Sequence, residues 1–321
     1  MEKTIKLLAV LLGVQLVLAL GLGLSGQGAA ARGGTQMLVD AAADTIDRLV
    51  LEEPGKPRVV LAKQGGAWRL PEAGDFPADA KRVAQLLDKL VALKPGAPVA
   101  ASAGARERFK VGEETFERRI TLGAGDETLA TLYLGTSPAM RRIHARMGKD
   151  DAIYAVELAA HEVPVRTADW QDKTLLRIPA GEIDAIEVAG LHLRRTAEDG
   201  TWLADGLPDG QRANPDAVEG LTSLIAELSV GEVLGREAGA EHGMDKPVLD
   251  LTVTRRGGEA VGYRLGKTRD KEEYTLKASS RPEYFRLPAY TASALIEAGK
   301  REALLEAVEE NTAENAEEKK S

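Results

Sequence analysis

Two stretches decide how this chain reads: Gly66-Ala67-Trp68-Arg69-Leu70 and, about 130 residues later, Gly200-Thr201-Trp202-Leu203. Each has the same neighbours in the same order. Upstream lie Ile46-Asp47-Arg48-Leu49-Val50-Leu51 and Ile183-Asp184-Ala185-Ile186-Glu187-Val188, with the period of a half-buried strand. A second short strand precedes each Trp, over 59–62 and 191–194. Downstream the period changes to that of a helix. Asp79 can cap the first helix, whose apolar face is Val83, Leu86, Leu87, Leu90 and Val91. Asn214-Pro215 starts the second, whose face is Val218, Leu221, Leu224, Ile225 and Leu228. A loop follows each, with Gly104-Ala105 and Phe109 in the first unit and Gly239-Ala240 and His242-Gly243 in the second.

Both units then enter a meander. In the first, strands are expected over 119–122, 129–134, 142–147 and 153–158, with turns at Gly123-Ala124-Gly125-Asp126 and Gly148-Lys149-Asp150-Asp151. In the second they are expected over 249–254, 261–265, 274–278 and 284–287, with Arg256-Gly257-Gly258 as a turn. Each unit therefore reads β-β-β-α-β-β-β-β. That is an α+β fold of two similar units, each an antiparallel sheet with one long helix, preceded by a transmembrane helix. The division is an anchor and spacer over 1–32, a first unit over 40–170, a second over 171–300, and a charged, disordered tail over 301–321. The tail reading rests on six Glu and two Lys within 306–321, which cannot bury a face. Asp169-Trp170-Gln171-Asp172-Lys173-Thr174-Leu175-Leu176 bridges the units.

The N-terminal reading rests on Leu7–Ala31, which carries no charge and whose apolar heart is Leu7–Leu24. About 20 apolar residues span a hydrocarbon core of roughly 30 Å. Lys3 and Lys6 precede the run and Arg32 follows it, so the N-terminus is expected inside and the bulk of the chain outside the cytoplasm. A cleaved signal peptide, with Ala29-Ala30-Ala31 as its cleavage site, is the competing reading. The partner implied by the anchor is the lipid bilayer.

Of the 321 residues 44% are apolar, enough for a sizeable core, but only 4% are aromatic, so that core is mostly Leu, Val, Ile and Ala. The net charge is −8 and the basic residues are dispersed, which argues against nucleic acid as a partner. There is no cysteine, so disulfides, thiolate nucleophiles and Cys-ligated zinc are excluded.

Apparent motifs fail on context. Gly21-Leu22-Gly23-Leu24-Ser25-Gly26 matches a dinucleotide fingerprint but ends the apolar run instead of joining a strand to a helix. Gly266-Lys267-Thr268 resembles the end of a phosphate loop, but the required first glycine is Val261 and Gly262 is one residue too close. The repeat pairs Leu265-Gly266-Lys267-Thr268 with Leu134-Gly135-Thr136-Ser137, a shared strand-ending turn. The four histidines, His144, His161, His192 and His242, lack zinc-site spacing. His144 and His192 read as half-exposed strand positions, and His242 as a loop residue held by a hydrogen bond. No G-x-S-x-G elbow is present. Trp68 and Trp202 read as core aromatics between helix and sheet. No catalytic, cofactor-binding or metal-binding residue is assigned.

The Lys-flanked span, the paired Gly-x-Trp strands and helices, Asp172-Lys173-Thr174-Leu175-Leu176 and Glu241-His242-Gly243 resemble the domain of unknown function 4340 family, from Thr4 to about Ile296. Some of its bacterial members stand beside ABC-type transporter components of the kind linked to gliding motility. The resemblance implies an accessory subunit of a membrane complex in the bacterial inner membrane, with its soluble part in the periplasm. The expected function is a non-enzymatic, membrane-anchored module with membrane-protein partners. The alternatives are an extracytoplasmic ligand-binding or sensor protein, and an envelope hydrolase.

Overall fold

The computed structural model describes residues 37–308, apart from 238 and 269–271. The described chain divides into two compact units between Asp172 and Lys173.

Unit 1 is an eight-stranded antiparallel sheet: β1 Arg48–Glu52, β2 Val59–Gln64, β3 Ala67–Leu70, β4 Phe76–Pro77, β5 Arg118–Ala124, β6 Glu127–Leu134, β7 Ile143–Met147 and β8 Ile153–Val156, ordered β4-β3-β2-β1-β5-β6-β7-β8. Two helices interrupt it, α1 Ala80–Val91 and the short α2 Ala103–Arg108. The β2–β3 hairpin turns on Gly65-Gly66, both at positive φ, which a two-residue turn of the favoured twist requires. Asp79 caps α1 by accepting from the Arg82 N–H at 3.0 Å. The helix packs on β3 and buries Val83, Leu86, Leu87 and Leu90, each contributing about 1.5–3 kcal/mol of transfer free energy.

Unit 2 carries β9 Ile183–Val188, β10 Leu191–Arg195, β11 Trp202–Ala204, β12 Gln211–Ala213, α3 Pro215–Ala226, β13 Val233–Gly235, β14 Leu249–Arg255, β15 Ala260–Lys267, β16 Tyr274–Ala278 and β17 Tyr284–Leu287. Its main sheet is ordered β11-β10-β9-β14-β15-β16-β17-β13. Asn214 caps α3 by accepting from the Ala217 N–H at 3.1 Å. From β3 to β8 and from β11 to β17 the two orders are the same. The registers agree as well: Leu49 faces Leu61 and Leu51 faces Ile120 in unit 1, as Ile186 faces Leu193 and Val188 faces Leu251 in unit 2.

The chain does not leave the fold at residue 300, which corrects the tail expected from there. It continues as α4 Ala289–Ala298, α5 Arg301–Leu304 and β18 Leu305–Ala307, and β18 pairs with β12. Leu304 is fully buried and accepts from the Asn214 N–H at 2.9 Å, so one apolar residue outweighs the charged composition around it. Residues 309–321 lie outside the described residues, as do the Leu7–Leu24 run and the glycine motif at its end. Among the described residues no helix is long and apolar enough to cross a membrane.

Candidate functional site

The residues singled out by the repeat serve packing. Trp68 and Trp202 are only 8% and 4% exposed. Each faces a basic residue across its hairpin, Lys63 and Arg195; Arg195 lies 5.0 Å over the Trp202 ring, whose Nε1 donates to Glu219 at 3.2 Å. Trp170, which the sequence placed in a mere bridge, is fully buried. Its Nε1 donates to the Pro164 carbonyl at 2.9 Å and its own carbonyl takes the Asp79 N–H at 2.8 Å, so this segment closes over the start of α1.

Gly135 and Gly266 stand where a loop crosses a strand. A Cβ on Gly135 would lie 2.5 Å from the Lys110 carbonyl oxygen and closer still to that of Phe109. One on Gly266 would lie 2.8 Å from the Gly243 carbonyl carbon and closer still to the His242 oxygen. Phe109-Lys110 and His242-Gly243 are therefore equivalent straps, and both turn with a left-handed residue, Lys110 at φ 54 and Gly243 at φ 66. In this structure Gly266 of the Gly266-Lys267-Thr268 run is a crossing point, filled by the His242 and Gly243 main chain.

His242 is 7% exposed, accepts from the Gly239 N–H at Nδ1 (3.1 Å) and stacks on Tyr284 at 5.2 Å. His144 differs from its sequence reading: it is 7% exposed, not half-exposed. The strap of residues 103–117 covers the second face of the sheet here, through a cluster of Ala105, Val111, Tyr133 and Ile153 joined by Phe109 and Phe116. The His144 ring lies 4.2 Å from that of Phe109 and its Nδ1 bonds the Thr136 hydroxyl at 2.9 Å. Burial holds its pKa below the ordinary imidazole value. His192 is exposed and pairs with Asp205 at 2.9 Å, and His161 is exposed.

The same cover buries Arg146, whose guanidinium donates to the carbonyls of Val111 (2.7 Å), Met147 (3.1 Å), Gly148 (3.3 Å) and Asp150 (2.9 Å). Its equivalent in unit 2, Lys277, donates to the Arg281 carbonyl at 2.6 Å. Both cations tie down the turn between the last two meander strands. Neither role was visible in the sequence, because a basic residue in a strand reads as exposed until its cover is known.

An open concavity lies wholly in unit 1. This cleft of about 840 Å³ runs along the outer edge of β8. Lys89, Lys94, Arg141 and Arg142 line it beside Met140, which is 90% exposed, and Glu157 is its one carboxylate. Among the described residues no group of three or more His, Asp and Glu could hold a metal ion.

Paired antiparallel sheets in a repeated order, with buried aromatics at the repeat positions, define a duplicated α+β protein. A family model described as a domain of unknown function (DUF4340) matches residues 68–247, more than half of the chain and parts of both units, and the chain belongs to this family. No curated protein and no solved structure matches it.

Proposed function

We propose that this chain is a membrane-anchored, non-enzymatic binding module outside the cytoplasm, acting as an accessory subunit of a membrane complex. The observation that carries this reading is the charge-free stretch Leu7–Ala31 behind Lys3 and Lys6. Its support in the folded units is that the repeated residues with chemical potential, Trp68, Trp202 and His242, are occupied in packing and hydrogen bonding. The exposed chemistry is instead a cationic cleft of the kind that holds a partner. The ABC-type transporter setting implied by the family resemblance belongs to the same proposal.

The test is topology together with extraction. A reporter active only outside the cytoplasm, fused after Ser321, should give signal, and alkaline carbonate should leave the chain in the membrane pellet. Signal from a cytoplasm-only reporter, or release of the chain by carbonate, would overturn the anchored reading.

A further inference from the structure

Unit 2 shows what closes this edge of the sheet. There β13 covers β17: the Arg286 N–H donates to the Glu232 carbonyl at 2.8 Å, and the Arg286 carbonyl accepts from the Gly231 N–H at 2.7 Å. In unit 1 the place of β17 is held by β8. The register gives the equivalence, since Ala145 faces Tyr154 as Leu276 faces Phe285, so Ala155 corresponds to Arg286. The covering segment of unit 1 begins alike. The Val99 N–H donates to the Ile153 carbonyl and the Ile153 N–H to the Ala100 carbonyl, both at 2.8 Å. It goes no further. The next residue, Pro98, has no N–H to give, and Lys94, Pro95 and Gly96 line the cleft wall.

Residues two apart on a strand share an edge, so Ala155 faces outward as Ile153 does. The Ala155 carbonyl is capped by a side chain, Arg142 Nη2 at 2.6 Å, and not by a strand. Where unit 2 has its covering strand, unit 1 has the cleft. Its charge states the complement: Lys94 and Arg141 make no ion pair among the described residues, and Arg142 is held only by carbonyl oxygen. Leu93, Pro95 and exposed Met140 supply apolar wall between these cations.

We infer that the Ala155 edge of β8 receives an extended acidic segment of a partner protein as an added strand. The segment's main chain pairs with Ala155, and its carboxylates meet Lys94, Arg141 and Arg142. Arg142 exchanges the Ala155 carbonyl for a carboxylate, and an incoming N–H takes its place, so no hydrogen-bonding group is left unmet. This assignment rests on the reading of the chain as a binding module, whose partner surface it names.

The probe is a fluorescent, end-blocked peptide of sequence Glu-Thr-Glu-Val-Glu-Thr, titrated by anisotropy against the full chain in detergent micelles at low salt. Two variants isolate the two contacts. Arg141→Gly removes charge where the backbone is left-handed, φ 60, a conformation glycine adopts without strain. Ala155→Pro removes the outward N–H at an edge-strand position, where proline is tolerated. Saturable binding is expected, weakened at least about tenfold by either variant with circular dichroism unchanged, and lost with the backbone-N-methylated peptide. If Ala155→Pro alters the dichroism, the N-methylated peptide still decides the pairing. Absence of saturable binding, or equal binding of the N-methylated peptide, overturns the assignment. So does a truncation after Val308 that raises affinity more than about tenfold, which would give the cleft to the chain's own acidic tail. A dimer abolished by Ala155→Pro would give it to a second copy and also overturn the assignment. Failure here in a chain that still passes the topology and extraction tests removes the edge assignment alone.

Discussion

Replacing Gly135 by Ala puts a methyl group where the Phe109-Lys110 strap crosses β6. The new Cβ would stand 2.5 Å from the Lys110 oxygen, against about 3.4 Å for ordinary contact, so the strap must lift by at least about 0.9 Å. Nothing at the crossing is a flexible side-chain end; the obstacles are main-chain atoms of Phe109 and Lys110. Lifting the strap breaks the bond from the Thr136 N–H to the Phe109 carbonyl (2.9 Å) and separates the Phe109 and His144 rings. Overpacking of this kind costs roughly 1–3 kcal/mol and the lost hydrogen bond about 1 kcal/mol. A total near 3 kcal/mol corresponds to roughly 150-fold faster amide exchange through local opening. Hydrogen exchange read by mass spectrometry on fragments from 103–156 measures this directly, with unit 2 fragments as an internal reference. Gly266→Ala should show the same effect in unit 2, against His242. Gly104→Ala is the control: no atom lies within 4 Å of its Cβ, and alanine in α2 should protect by up to about 1 kcal/mol. Wild-type exchange in Gly135→Ala, or equal effects in Gly135→Ala and Gly104→Ala, would refute the strap argument.

Trp68→Ala and Trp202→Ala should each cost about 3–5 kcal/mol, seen as a lower melting temperature; an unchanged melt with loss of partner capture would make either one a binding residue. Tyr263→Phe should cost about 1 kcal/mol in urea denaturation, because the buried hydroxyl donates to the Leu176 carbonyl at 2.8 Å; an unchanged midpoint would contradict that role. In the same tyrosine burial pushes the hydroxyl pKa up to about 12, so an ultraviolet titration should show an ionisation near that value which Tyr263→Phe removes. His144 has a folded pKa below the ordinary 6.5, so the unfolded chain binds the extra proton. Its contribution is full above that value and is lost as pH falls through it. The protection factors of unit 1, exchange corrected for its own intrinsic pH dependence, should therefore fall as pH drops below about 6.5, less so in His144→Gln, and equal acid sensitivity in the two chains would exclude His144 as the source.

What the sequence carried and what it did not divide along physical lines. Local signals were reliable where a side chain acts on its own backbone. Asp79 and Asn214 cap the helices that their positions announced, and the meander strands 274–278 and 284–287 have the predicted bounds. The repeat was legible because buried positions recur in register, down to the pairing of Gly135 with Gly266. Non-local effects were not legible. His144 and Arg146 are buried because the strap of residues 103–117 covers β7, and nothing within a five-residue strand announces its second cover. Trp170 looked like linker because its partners, Pro164 and Asp79, lie outside any periodic pattern. The end of unit 2 was missed because composition dominated: six glutamates from 306 onward hid Leu304 and the β12–β18 pair. The cleft was invisible for a further reason. It is defined by a covering strand that the described residues of unit 1 do not supply, and only the folded comparison of Ala155 with Arg286 exposes it.

We propose a membrane-anchored chain that holds a partner through folded surface and not through a reaction. The most direct measurement is quantitative affinity purification of the full chain from detergent-solubilised native membranes, comparing wild type with Arg141→Gly at equal expression. An integral membrane protein should be recovered in near-equimolar amount with wild type, and several-fold less with the variant. Recovery of no membrane protein in stoichiometric amount would contradict the claim.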